Sequence, residues 1–193
     1  MRFRTPRIRL SRTRVSAAAV AALAAGAMAV SASPASASAG SGYVNGGGTY
    51  TDDFGDEGDL SSSSYANSTA TCLWQQILWA EGATESNGSR YDLSDIDGRF
   101  GPNTTYATKK LQSRWGLTAD GWVGGNTFGR ADGKLRYVSG STASGEHLRV
   151  RYDGAYHDLD FLRATNGRYI IYTDGDRDKG GPVYASYTAN YCD

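Results

Sequence analysis

A phrase of eight residues occurs twice in this chain, and it limits what the chain can fold into. Residues 97–104 read Asp-Gly-Arg-Phe-Gly-Pro-Asn-Thr, and residues 120–127 read Asp-Gly-Trp-Val-Gly-Gly-Asn-Thr. The Asp-Gly pair favours a tight turn, the apolar residue that follows can anchor in a core, and Asn-Thr leads into a helix. A unit this short cannot bury its apolar face alone. We therefore expect the two copies to pack on each other or on a shared third element.

The sequence around the two phrases predicts three helices. Apolar residues in the segment 71–81 recur at spacings of three and four, which predicts an amphipathic helix capped by Thr71. A second helix begins at Pro102, which suits a first helical turn, and it ends before Gly116. A shorter third helix spans about 126–131. Together they form a compact three-helix unit over residues 70–135.

The sequence after Leu135 changes to the pattern of a small sheet. A Ser/Gly-rich stretch over 139–145 precedes a region in which apolar and charged residues alternate, and Asp-Gly and Asn-Gly pairs separate the runs. Such pairs are typical of hairpin turns. The predicted strands span 147–152, 155–162, 168–173 and 183–190. The expected fold class is therefore α+β, a three-helix bundle followed by a small antiparallel β meander over residues 146–193.

The first 69 residues contribute no core in this interpretation. Residues 1–39 combine six arginines, an Ala/Val-rich apolar run and small residues that suit cleavage after Ala39, which is typical of a signal peptide. The apolar run is too short for a transmembrane anchor. Residues 40–69 are acidic and rich in Gly and Ser, which predicts a flexible tether. The expected localisation is therefore secreted, outside the cell.

Charge and cysteine content narrow the class of protein further. Without the signal segment the chain carries 14 basic and 20 acidic residues, a formal net charge of −6. This balance argues against a basic face for nucleic acid or for an anionic membrane surface. In an oxidising compartment the pair Cys72 and Cys192 predicts a disulfide between the start of the folded region and its last residues.

The order of residues within 71–131 matches the pattern of a known family. The matching residues outside the phrases are Gln75, Leu78, Gly82, Ala107, Thr108, Gln112, Gly116 and Leu117. Together with the two phrases, this segment resembles the peptidoglycan-binding domain found at the ends of many bacterial cell-wall hydrolases. It departs from the family pattern at Leu111, Gly125 and Phe128, where Phe, Pro and Trp are usual. The resemblance implies a three-helix fold that holds cell-wall glycan or its stem peptide.

Candidate ligand-binding residues lie in the two phrases. Arg99 and Trp122 occupy equivalent positions next to the expected core residues Phe100 and Val123, so they should point toward solvent. An exposed indole beside an Arg, an Asn and carboxylates suits a sugar ring. The candidate set is Asp97, Arg99, Asp120, Trp122 and Asn126. Two alternatives remain open: the aspartates serve only as turn residues that accept backbone N–H groups, and Trp122 covers the joint with the sheet.

We predict no catalytic residue, metal site or cofactor. Metal-assisted hydrolysis of peptidoglycan needs at least three nitrogen or carboxylate ligands, and the histidines of the chain are only His147 and His157. The sequence also contains no Ser-His-Asp or Cys-His signature. Asp174, Asp176 and Asp178 alternate as in a calcium loop, but the Gly and Glu that such a loop needs are absent, which favours a polar hairpin tip.

The predicted function is therefore that of a secreted, monomeric, non-enzymatic protein. It binds peptidoglycan glycan or stem peptide through its helical unit, and it has no nucleic-acid partner and no membrane contact after signal removal. Two alternatives come from other functional classes. The first is a cell-wall hydrolase whose C-terminal β domain is catalytic. The second is a secreted inhibitor or interaction protein that uses the helical domain as a scaffold.

Overall fold

The computed structural model describes residues 39–175 and 178–192, and within these ranges the chain forms three α-helices and one five-stranded antiparallel sheet. The helices are α1 (Thr69–Ala80), α2 (Pro102–Arg114) and α3 (Gly125–Asp132). The strands are β1 (Leu135–Gly140), β2 (Leu148–Asp153), β3 (Asp158–Arg163), β4 (Tyr169–Tyr172) and β5 (Pro182–Tyr184). Adjacent strands are hydrogen-bonded in chain order, so the sheet is a meander. The expected α+β class is confirmed. The predicted signal peptide, except Ala39, lies outside the described residues.

The helix boundaries follow the local sequence signals, with one correction at the start of α1. The side chain of Ser68 caps this helix, because its Oγ accepts the backbone N–H of Thr71 at 3.0 Å. Thr71, the predicted cap, instead lies inside the first turn and acts as the donor. Pro102 lies at the first turn of α2, where a missing backbone N–H costs nothing.

Helix α1 is buried on both sides, although its sequence predicts an amphipathic helix with a solvated face. Of its 12 residues, 11 are buried. On one side the indole Nε1 of Trp74 donates to Thr108 Oγ1 of α2 at 2.9 Å. On another side Gln76 Nε2 donates to the carbonyl of Tyr172 in β4 at 2.6 Å. The indole of Trp74 and the amide nitrogen of Gln76 are therefore satisfied by internal hydrogen bonds, whereas the buried amide oxygen of Gln76 has no hydrogen-bond partner among the described residues.

Both ends of α1 are completed by chain segments that follow the helical unit. At its start the backbone N–H of Thr69 donates to Ala189 O at 2.7 Å. At its end Ala80 O accepts the N–H groups of Tyr156 at 2.9 Å and His157 at 3.2 Å. Helix termini leave backbone groups without intrahelical partners. The sheet region supplies these partners, so α1 is held at both ends by residues that follow the helical unit in the sequence.

The segment before α1 is part of the core, so the expectation of a flexible tether over 40–69 is wrong for these residues. Val44, Phe54 and Leu60 are fully buried. The ring of Phe54 packs edge-on against Phe128 of α3 at 6.1 Å and against Tyr169 of β4 at 5.0 Å. Phe54 therefore packs between the helices and the sheet.

Carboxylates hold the same segment in place from inside. Asp53 forms an ion pair of 2.8 Å with Arg163 of β3, and both side chains are almost fully buried. Glu57 accepts a hydrogen bond from the Tyr187 hydroxyl at 2.6 Å, and Asp132 of α3 accepts one from the N–H of Phe54 at 2.8 Å. Burial raises the pKa of both Glu57 and Asp132 to about 7. These buried acidic residues therefore hold the segment against the helices and the sheet region.

The sheet differs from the expected one at both edges. Strand β1 extends into the predicted linker over 139–145 and pairs with β2 through a bulge between Tyr137 and Ser139. It carries little strand signal because only its first residue is buried. The last predicted strand, 183–190, ends at Tyr184, beyond which the backbone N–H of Ala185 bonds to Tyr169 O at 2.9 Å.

The expected disulfide joins α1 to the end of the chain. Cys72 and Cys192 are bonded, and 120 residues separate them in sequence. This confirms the predicted pairing. Across the part of the chain that the structure describes, none of the helices combines the length and the apolar character that crossing a bilayer requires.

Candidate ligand-binding surface

The second phrase is organised by one buried glutamine of helix α2. Gln112 is 1 % exposed, and its Nε2 donates to the carboxylate Oδ1 of Asp120 at 2.9 Å and to the carbonyl of Trp122 at 2.8 Å. Its Oε1 accepts the backbone N–H of Gly121 at 2.8 Å. Nε2 also donates to the hydroxyl of Thr127 at 3.0 Å. One amide side chain thus fixes both ends of the turn.

A second glutamine repeats this arrangement at the first phrase. Gln75 of α1 is 1 % exposed, and its Nε2 donates to Asp97 Oδ1 at 2.8 Å and to the carbonyl of Arg99 at 3.1 Å. Its Oε1 accepts the N–H of Gly98 at 2.7 Å. The equivalent glycines of the two turns, Gly98 and Gly121, have φ angles of +70° and +78°, which glycine adopts without strain. The sequence repeat is therefore a repeated hydrogen-bonded frame.

The two aspartates have a clear part in these frames. Asp97 Oδ1 accepts the backbone N–H of Arg99 at 2.8 Å, and Asp120 Oδ1 accepts that of Trp122 at 2.8 Å. A carboxylate that bonds the backbone two residues further on stabilises a tight turn. This geometry agrees with the structural alternative for Asp97 and Asp120. Contact of either carboxylate with a ligand stays a prediction.

The residue after each Asp-Gly pair lies on the surface, while the next one is buried. Phe100 is 3 % exposed and Val123 is fully buried, as expected for core residues. Arg99 is exposed and the Trp122 side chain is 43 % exposed. Asn126 is also exposed, in the first turn of α3. The frames therefore present an arginine at one turn and a tryptophan at the other.

A shared strand-like segment runs along both phrases. Leu60 and Val123 exchange two backbone hydrogen bonds of 3.1 and 2.9 Å, and the N–H of Phe100 donates to Ala66 O at 2.6 Å. Residues 61–64 turn between these two contacts. The expectation of a shared third element is thus met by residues 60–67, which precede the helical unit.

The residue immediately before this segment holds the indole of Trp122. Its Nε1 donates to Asp59 Oδ1 at 3.0 Å, so one edge of the ring is anchored while much of the side chain stays accessible. The hydrogen bond of the indole goes to the N-terminal segment and not to a strand. Asp59 belongs to the acidic segment 40–69 that the sequence predicts to be a flexible tether. Its contact could not be foreseen because the segment that carries it was not expected to fold.

Comparison with known protein families gives one result. Residues 75–130 match the family model described as "Putative peptidoglycan binding domain". The match begins at Gln75 and includes Gln112 and both phrases, so it covers the two frames and the exposed residues that they present. It confirms the resemblance inferred from the motif order. Searches of curated proteins and of solved structures found no match.

The described residues do not bring metal ligands together. Over 39–175 and 178–192 there is no group of three or more His, Cys, Asp or Glu side chains arranged to hold a metal ion. His157 instead stacks on Trp79, with ring centroids 4.1 Å apart and an interplanar angle of 9°. Asp176, one of the three alternating aspartates, lies outside the described residues.

The glutamines of the frames are the functional-site residues whose role the sequence did not reveal. Gln75 and Gln112 belong to the family pattern, but their spacing to the phrases differs, since Gln75 lies 22 residues before Asp97 and Gln112 only 8 before Asp120. The signal available in the sequence was that both glutamines match positions of the family pattern, one on α1 and one on α2. A buried glutamine in that position indicates a specific polar partner.

Proposed function

We propose that this is a secreted, non-enzymatic, wall-associated protein that binds peptidoglycan through the exposed side chains of its two phrases. The main support for the proposal is that, within each frame, one residue holds the turn backbone and a different residue is exposed to solvent. Gln75 and Gln112 occupy the turn backbones, whereas Arg99 and Trp122 extend outward from equivalent positions. The family match over residues 75–130 supports peptidoglycan as the ligand.

The exposed side chains have chemistry that suits this ligand. An indole offers a flat apolar surface to the C–H face of a sugar ring, and a guanidinium donates paired hydrogen bonds to a carboxylate or an acetamido carbonyl. Trp122 and Arg99 supply these two groups, and the amide of Asn126 can both donate and accept. Affinity at one site is weak, and rebinding to the dense array of wall repeats retains the protein.

Cosedimentation with purified cell-wall sacculi tests the proposal. The mature protein, beginning after residue 39, should sediment with the sacculi, and Trp122→Ala and Arg99→Ala should each weaken binding by about 3- to 10-fold without unfolding. Tyr137→Ala is the matched control, because Tyr137 is an aromatic residue of β1 that is 53 % exposed and belongs to neither phrase. Its binding should equal that of the wild type.

Three results would contradict parts of this proposal. If the wild-type protein stays in the supernatant while a known wall binder sediments, the scaffold alternative is favoured. If Tyr137→Ala weakens binding as much as Trp122→Ala, the phrases are not the binding surface. If the purified protein releases soluble fragments from the sacculi over time, the non-enzymatic part is wrong.

A further inference from the structure

A second candidate site lies on the sheet side of the molecule. A cleft of about 690 Å³ opens where the end of α1 meets the β2–β3 turn and the loop that follows β4. Its volume is within the range of about 300–1,000 Å³ that ligand pockets usually have. None of its lining residues belongs to either phrase. The proposed wall contact therefore leaves this cleft unexplained.

The cleft contains a preformed aromatic platform. Trp79 is half-buried, and the exposed imidazole of His157 lies parallel to its indole. The backbone N–H of His157 is bonded to Ala80 O, so the upper ring is attached to the end of α1. Gly175 also lies close to this indole, since a Cβ at this position would lie 3.0 Å from the ring of Trp79. The two rings are thus held in place before any ligand arrives.

Polar groups of both kinds surround the platform. Asp158, Asp160 and Asp174 bring carboxylate acceptors into the cleft. Arg151 of β2 brings a donor and lies 3.4 Å from Asp160 of β3, with both side chains accessible to solvent. The walls therefore combine acceptors and donors beside a flat apolar surface.

We propose that this cleft binds a neutral saccharide, specifically the glycan strand of the wall that the helical unit contacts; the choice of glycan rests on the proposed function. Sugar hydroxyls both donate and accept hydrogen bonds, so they match a wall that carries carboxylates next to a guanidinium. The apolar face of the sugar ring stacks on His157. With Asp178, four carboxylates line the cleft beside Arg151 and Lys179, which disfavours an apolar or an anionic ligand. The stacked rings of Trp79 and His157 favour a sugar ring over a small cation.

Tryptophan indole N–H signals in NMR spectra can report on both sites in one titration. Trp79 lies in the cleft, Trp122 in the second phrase, and Trp74 is fully buried and serves as an internal reference. The probe is the soluble tetramer of β-1,4-linked N-acetylglucosamine. It should shift the Trp79 signal saturably, and raising the salt concentration from about 0.05 M to about 0.5 M should leave the affinity unchanged, because a neutral ligand is not screened.

Two variants test the cleft directly. His157→Ala removes the upper ring and should weaken binding at the Trp79 signal by about 2- to 10-fold. Tyr137→Ala, on the same sheet but outside the cleft, should leave it unchanged. The dispersion of all other amide signals verifies that both variants are folded.

Several outcomes would overturn the cleft proposal. One is the absence of any Trp79 shift with the tetramer. Another is a shift that His157→Ala does not weaken, which would place the ligand elsewhere. A third is a shift caused only by a lysine-containing stem peptide and lost at high salt, which would assign a cationic ligand instead. If the Trp79 signal does not shift while sacculi still bind through Trp122, the cleft proposal fails and the proposed function stands. If the Trp79 signal shifts while Trp122→Ala leaves binding to sacculi unchanged, the proposed role of the phrases fails and the cleft proposal stands.

Discussion

Replacing Gln112 by Ala should be among the most damaging single changes in the helical unit, although the residue lies beneath the candidate surface. The change removes two N–H donors that serve three acceptors and leaves the buried N–H of Gly121 without its acceptor. An unsatisfied buried donor alone costs about 1–3 kcal/mol. With the lost bonds and the cavity added, we expect the free energy of unfolding to fall by about 3 to 5 kcal/mol. That is a large part of the total stability of a typical domain.

Urea unfolding followed by circular dichroism, with the disulfide intact, measures this loss. Ser113→Ala is the matched control, since Ser113 is the next residue of α2 and is exposed. It should change stability by less than about 0.5 kcal/mol. Gln112→Glu separates hydrogen bonding from packing, because it keeps the volume but directs a second carboxylate toward Asp120. It should be destabilising at neutral pH and recover in part in acid.

The reasoning about the frames would be refuted by a small effect. If Gln112→Ala lowers the free energy of unfolding by less than about 1 kcal/mol with an unchanged urea dependence, the turn keeps its shape without the amide. The repeat would then owe its geometry to the Asp-Gly pairs alone.

Three further expectations follow from the fold. Phe54→Ala should lower the free energy of unfolding by about 3 to 5 kcal/mol, measured by thermal or urea unfolding. A loss near zero would support a flexible tether over residues 40–69. The free energy of unfolding should fall as pH rises from about 4 to about 7. Glu57 and Asp132 keep their protons to about pH 7 in the folded protein, whereas unfolded carboxyls release theirs near pH 4. A urea midpoint that rises over this interval would contradict the expectation. Replacing both Cys72 and Cys192 by Ser should lower stability by about 4 to 5 kcal/mol, and an unchanged midpoint would show that the bond constrains nothing.

The helices and the meander could be predicted from sequence because their signals are local. Pro102 marks the start of α2, and the alternation after Leu148 marks β2. The segment 40–69 could not be assigned in this way. Its core contacts, such as that of Phe54 with Tyr169, join residues 115 positions apart, and no local pattern encodes such a contact. Strand β1 was missed for the opposite reason, because it pairs through its backbone while its side chains stay exposed.

The candidate surface could be predicted only in part. Which residues are inside and which are outside followed from position within the phrase, and the burial of Phe100 and exposure of Trp122 agree with it. The frame residue Gln112 and the contact from Asp59 could not be inferred, because both depend on how separate segments meet in three dimensions. Buried polar partners and long-range contacts are therefore what the sequence left open.

The comparison of the two phrases also indicates where specificity resides. Asp, the first Gly and the final Thr recur in both copies, and each is engaged by the glutamine of its frame. The position after Asp-Gly differs, with Arg99 in one copy and Trp122 in the other, and it is the exposed one. The recurring residues are those that hold the turn backbone, whereas the residue that differs is exposed and is the one that a ligand can reach. Under the proposed function, we infer that a surface made of one cation and one aromatic plane contacts two unlike features of the same polymer, which a pair of identical turns could not do.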